Sequence, residues 1–155
     1  MSSEIPSQAL AGVITDKAHR LMVRVYYEDT DFTGVVYHAN YLKYFERGRS
    51  DYLRLLGIHH HRLAALDPPM AFAVARIDVR YKAVARIDDV LTVVTRVAGS
   101  KGAQFFLDQT IERDGALVAL AHLDIVCIDG AGRPRRLPKA LGDVISGHAA
   151  GGEGD

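Results

Sequence analysis

A single helical stretch set among strands is the feature that most limits how this chain can fold. From Val35 to Gly57, apolar or small residues fall at Tyr41, Tyr44, Phe45, Gly48, Tyr52, Leu55 and Leu56. Their steps of three or four residues predict a helix. Gly57 follows the last periodic residue and suits a C-terminal cap. Gly48 lies on the predicted buried face, at a propensity cost of about 1 kcal/mol relative to Ala, and would let a backbone approach closely. Arg20 to Tyr27, β-branched and aromatic, predicts a strand before the helix. Ala71 to Lys82, Asp89 to Ala98, Ala103 to Arg113 and Ala116 to Ile128 predict four more behind it. Gly99 to Gly102, Asp114-Gly115 and Asp129 to Gly132 punctuate them, with Asp114-Gly115 a two-residue hairpin signal. Short connections make consecutive strands antiparallel, and one long helix must then cover the sheet's apolar face. The class is α+β, with about five strands. Strand runs such as LVALAHLDIVCI are more apolar than a solvated face requires, so a homodimer or larger assembly is expected.

The 155 residues fit one domain. Residues 1–18 read as a flexible arm, 19–146 as the domain, with Pro138 to Ile145 a short closing helix, and 147–155 as a disordered tail. There is no signal-peptide pattern and no apolar run long enough to span a bilayer, so no stable membrane insertion is expected. The single cysteine, Cys127, excludes an intrachain disulfide and suits a cytoplasmic protein. The 19 basic and 19 acidic residues balance, without the basic excess of a general nucleic-acid binder.

The chemistry concentrates between the first strand and the helix. Asp29 and Asp31 stand just upstream of the first helical N–H groups, which lack intrahelical partners and favour negative charge. Two readings stay open on spacing alone. Either aspartate could cap the helix. Alternatively, one could attack or activate water while the helix N-terminus holds an oxyanion, with Gly34 allowing close approach.

The full segment YYEDTDFTGVVYHANYLKYFERGRSDYL, Tyr26 to Leu53, resembles the 4-hydroxybenzoyl-CoA thioesterase family. It is closer to the YbgC-like branch, the Tol-Pal-associated acyl-CoA thioesterases. The specific pattern is D-x-D-x-x-G-x-V-x-x-x-x-Y followed by Y-F-E-R-x-R. The resemblance implies a hotdog fold, in which the sheet wraps a long central helix, and a homodimer or homotetramer with sites at the protomer interface. It implies hydrolysis of an acyl-CoA thioester, or an acyl-carrier-protein thioester, with Asp31 as nucleophile or general base. It places the oxyanion donor at the backbone N–H of His38, whose side chain is a further candidate. No cofactor or metal is expected, coenzyme A being part of the substrate. Phe32-Thr33 departs from relatives, which often carry small residues or Pro there, and this bears on the size of the acyl pocket. A hotdog hydratase is the less favoured enzyme, because its Asp/His or His/Glu motif is absent. A binding subunit for acyl-CoA or acyl carrier protein, associated with the Tol-Pal system, is the non-enzymatic alternative.

Around this core, Gly34, Val35, Val36 and Tyr37 are candidate substrate contacts at the helix start. Lys101, Arg133, Arg135 and Arg136 are candidates for the coenzyme A phosphates, where guanidinium suits phosphate geometry. Asn40 is read as holding local geometry, and Glu46 as an ion-pair partner of Arg47 or Arg49 and a rival to Asp31. The run His59-His60-His61 lacks metal-ligand spacing. Cys127 is read as a core residue, and His122 as a satisfied or interface histidine.

Overall fold

The computed structural model describes residues 10–149. Strands β1 (Val13–Thr15), β2 (Ala18–Arg24), β3 (Met70–Tyr81), β4 (Val90–Lys101), β5 (Gln104–Arg113) and β6 (Ala116–Asp129) form one antiparallel sheet in the order β1-β2-β4-β5-β6-β3. Helix α1 (Asn40–Leu55) lies across one face, α2 (His60–Ala64) follows it, and α3 (Lys139–Gly147) closes the chain. The hairpin between β5 and β6 turns at Asp114-Gly115, where both residues have positive φ (51° and 80°), the geometry of a primed turn.

The strand assignments shift at their ends. β4 runs on to Lys101 with a bulge between Val97 and Gly99, and β3 carries another between Val74 and Arg76. Bulges bend the strands they interrupt, and here they help the sheet curve round α1. Of the expected flexible arm, the part from Val13 onward is structured: β1 pairs with β2, and the fully buried His19 ring binds Ala11 C=O at 2.7 Å. Residues 1–9 lie outside the described residues. The expected disordered tail is also ordered through Ala149. The His148 ring meets Tyr52 edge-on at 6.2 Å, and Ala149 bridges Val97; residues 150–155 lie outside the described set.

The core sits between α1 and the concave face. Tyr41, Tyr44, Phe45 and Tyr52 of α1 pack on Leu91, Val93, Phe105, Leu107, Ile111 and Leu123 of the sheet, all buried. Gly48 faces β4. A Cβ there would stand 2.6 Å from Val93 Cγ1 and 3.3 Å from Thr95 Oγ1. One turn earlier, the buried Gln109 amide donates to Phe45 C=O at 2.8 Å and to Thr95 Oγ1 at 2.9 Å, tying helix to sheet inside the core. Such bonds matter because an amide NH2 left unpaired there would cost about 1–3 kcal/mol; the amide oxygen has no partner among the described residues.

Gly48→Ala adds one methyl group where no space exists. Helix propensity favours alanine by about 1 kcal/mol, while overpacking costs typically about 1–3 kcal/mol. The expected result is a net loss of stability, visible as a lower midpoint in urea unfolding. An unchanged or higher midpoint would show that the helix–sheet contact is not tight.

Candidate active site

The helix begins at Asn40 rather than at Val35, where the predicted stretch opens, and this delay shapes the site. Val35 and Val36 are β-branched and pair with extended chain. Val36 N–H donates to Ala85 C=O at 2.8 Å and Val35 bridges Arg86. Val36 is buried in the core and Val35 half-buried. Of the four candidate contacts at this end, Gly34 and Tyr37 line the cavity described below, whereas Val36 is a core residue.

Asp29 and Asp31 have separated roles. Asp29 is buried in the single helical turn Tyr27–Asp29, where its Oδ2 accepts Tyr26 N–H at 2.9 Å. Its carbonyl accepts both Tyr37 N–H and the Asn40 side-chain amide, each at 2.9 Å. Asp29 is therefore the knot that joins the turn to the helix start, and Asn40 does hold local geometry. The Tyr44 hydroxyl is buried close by, and burial first, then the Asp29 carboxylate, push its pKa up.

Asp31 is exposed. Its Oδ1 accepts the Thr33 hydroxyl at 2.7 Å and the Thr33 N–H at 2.8 Å. No bond to Oδ2 occurs among the described residues. The Thr33 hydroxyl, and then its N–H, hold the Asp31 carboxyl below the usual carboxylate range. Gly34, at φ 80°, closes the turn by donating to Asp31 C=O at 3.2 Å, and Asp31 N–H donates to Val35 C=O at 2.9 Å. The carboxylate thus stands on a compact turn with one oxygen held and one available, at an open cavity of about 800 Å³. Tyr27, Phe32, Tyr37, Asn40 and Ile87 share that lining. Phe32, where the motif departs from relatives, is fully exposed.

His38 stands two residues before the helix. Among the described residues its N–H has no acceptor. The carbonyl of the same peptide, Tyr37 C=O, accepts Asn40 N–H at 2.8 Å. A trans peptide points its N–H opposite its carbonyl, so the bond to Asn40 fixes the direction of the free His38 N–H. The His38 ring packs on Tyr37 at 4.5 Å, centroid to centroid.

Lys101, Arg133, Arg135 and Arg136 do not join Asp31 within one protomer. They lie at the opposite end of the sheet, at or beyond the last residues of β4 and β6, whereas the Asp31 turn sits by the first residues of β4. At about 3.3 Å per residue, β4 alone separates the two ends by roughly 35 Å. Glu46 has no ion pair with Arg47 or Arg49 among the described residues; it accepts the Ser50 hydroxyl at 3.0 Å. Together with Arg49 it lines a second cavity, of about 110 Å³, between α1 and β3. Cys127 is fully buried in β6, and His122 lies on the exposed face between Asp108 (2.7 Å) and Asp124 (3.3 Å). Sequence reading misses Tyr27 and Ile87 of the site's rim, beside Glu28 and Thr30. Tyr27 looks like the end of a strand, and Ile87 lies far along the chain with no motif around it.

Residues 25–145 match the family model described as the thioesterase-like superfamily. The chain is 40% identical over 127 residues to the acyl-CoA thioesterase YbgC of Haemophilus influenzae, covering 81% of this chain and 93% of that protein. Among solved structures, a probable thioesterase from Bartonella henselae is 41% identical with a TM-score of 0.76, over 78% of this chain and 99% of that one. A thioesterase from Thermus thermophilus, solved with coenzyme A and zinc, is 27% identical with a TM-score of 0.72, over 83% and 92%. With its helix in a curved antiparallel sheet and this extent of likeness, the chain belongs to the thioesterase-like superfamily and is a hotdog-fold thioester hydrolase.

Proposed function

We propose that this enzyme hydrolyses acyl-CoA thioesters and that Asp31 is its catalytic carboxylate. The observation that carries the reading is the pairing of a low-pKa, exposed carboxylate with a free, oriented N–H at His38 on one short segment. The thioester carbonyl oxygen would take the His38 N–H, where developing negative charge is stabilised. Asp31 would attack the carbonyl carbon, or deprotonate the water that does. Gly34 and Tyr37 would bound the acyl and thiol portions at the cavity. The 40% identity to an acyl-CoA thioesterase supports coenzyme A as the carrier; acyl carrier protein is the alternative carrier. The lone buried Cys127 suits the reducing cytoplasm in which we place the enzyme.

Assembly follows from the same reading. Edge strand β3 is 12 residues long and exposes Val74, Ile77 and Tyr81, an unpaired edge of the kind that recruits a partner. Its Met70 end lies by the basic residues and its Tyr81 end by the Asp31 site. Antiparallel pairing of two β3 edges about a two-fold axis would bring the basic end of one protomer beside the Asp31 end of the other. Lys101, Arg133 and Arg135 would then serve the coenzyme A phosphates bound in the other protomer's site.

Asp31→Asn should lower thiol release from acyl-CoA by at least ~10²-fold with the unfolding midpoint retained; wild-type turnover by this variant would remove Asp31 from the chemistry. Since activity needs ionised Asp31, whose pKa is lowered, kcat/KM should fall only at pH values below the ordinary carboxylate range. Thr33→Val, which deletes the hydroxyl contributing most to the lowered pKa, should move that acid limb to higher pH; an unmoved limb would mean another group sets it. Asp31→Asn and an Arg133→Ala/Arg135→Ala double variant, each impaired alone, should regain part of the activity when mixed and refolded together. Absence of any regain, or a monomer in sedimentation, would contradict the shared site.

A further inference from the structure

We infer that Tyr81, at the end of edge strand β3, is a positioning residue for the oxyanion donor: its hydroxyl holds the His38–Ala39 peptide while Asn40 N–H holds the Tyr37–His38 peptide, and the two together fix His38 with its N–H toward the reacting carbonyl. The inference rests on the thioesterase reading given above.

Three contacts carry it. The Tyr81 hydroxyl donates to His38 C=O at 2.9 Å, across 43 residues of chain. The Tyr81 ring stands edge-on to His38 at 6.4 Å and to Tyr41 at 5.4 Å. Tyr41 is itself fixed, because its hydroxyl accepts Ala85 N–H at 3.0 Å in the buried core. His38 therefore has a hold on each side. The peptide before it is held at Tyr37 C=O by Asn40 N–H, and the peptide after it at its own carbonyl by Tyr81. Among the described residues its N–H is left free.

This arrangement is needed because the helix cannot do the job alone. The residue before α1, Ala39, offers no side-chain cap, and its φ and ψ are already helical (−70° and −21°). His38 precedes the helix, so no helical hydrogen bond restrains its carbonyl. The bond from Tyr81 supplies that restraint from another strand. Burial pushes the Tyr81 phenol up from its ordinary value, which favours the protonated, donating form. Tyr81 is not among the residues lining the cavity at Asp31, and its role is exerted through His38.

Tyr81→Phe keeps the ring packing and removes only the donated bond. A neutral hydrogen bond of this kind corresponds to a rate effect of about tenfold. The expected result is a kcat about tenfold lower, KM within about twofold of wild type, and an unfolding midpoint near wild type. A purely structural residue would instead lower the midpoint and leave kcat per folded enzyme intact. Amide NMR on ¹⁵N-labelled protein adds a reading independent of turnover. Addition of an unreactive ketone analogue of acyl-CoA should shift the His38 resonance strongly in wild type and less in Tyr81→Phe. Equal shifts in the two proteins, or kcat within about twofold of wild type, would overturn the inference. No shift of His38 in wild type would overturn it too, by removing His38 as the donor. Loss of thiol release by Asp31→Asn alongside an unaffected Tyr81→Phe would leave the thioesterase reading standing and sink this one alone.

Discussion

The contact between Gly48 and Val93 is the constraint on which the rest of the structure depends. With no Cβ at Gly48, α1 rests directly on β4, nearer than any other residue would permit. That closeness brings Phe45 C=O within reach of the Gln109 amide. It also leaves room for the large rings, Tyr41, Tyr44, Phe45 and Tyr52, to fill the concavity on either side. A helix held farther off would need a flatter sheet and a thicker core. The bulges in β3 and β4 fit the same requirement, because strands that curve round a close helix must bend somewhere.

Fixing the helix fixes its beginning, and the site is built there. The segment between β2 and α1 is short and densely bonded. Asp29 gathers three donors, from Tyr26, Tyr37 and Asn40, on one carboxylate and one carbonyl. Val36 is stitched to Ala85. Among the described residues, Oδ2 of Asp31 and the N–H of His38 stay without partners. In a loop held so firmly elsewhere, such groups are where a substrate can form bonds without breaking any. The two aspartates of the motif thus divide the work, one organising the loop and the other facing solvent with its charge stabilised by Thr33.

Much of this is legible in the sequence, and the misreadings have physical causes. The helix face, including Gly48, shows because burial on one side imposes the helical period. The start of α1 is read too early because Val35, Val36 and Tyr37 continue an apolar pattern. Their partners, Ala85 and Arg86, lie far along the chain, and only the fold reveals that the valines belong to extended chain. The same blindness to distant partners hides β1, whose three residues carry no strand pattern of their own, and the order around His148. A local motif picks out Asp31 and His38, since both sit in one continuous segment. It does not pick out Tyr81, which looks like an ordinary strand residue until its hydroxyl is found on His38 C=O. Nor does it show that Lys101, Arg133 and Arg135 stand at the far end of the sheet.

Under the proposed pairing of β3 edges, that last separation would connect catalysis to assembly through one strand. Among the described residues β3 is bound to β6 along one side only, and its other side is the open edge. Tyr81 sits at the end of this strand, with its ring against Tyr41 and its hydroxyl on His38. Pairing along the open edge would restrict the motion of β3, and with it the motion of Tyr81. An isolated protomer would then lack two things together: the basic groups needed for the nucleotide and a firm hold on the oxyanion donor. Under the proposed pairing, the strand joining two protomers would also be the strand that bonds His38 C=O, and such an enzyme would have reason to be active only when paired.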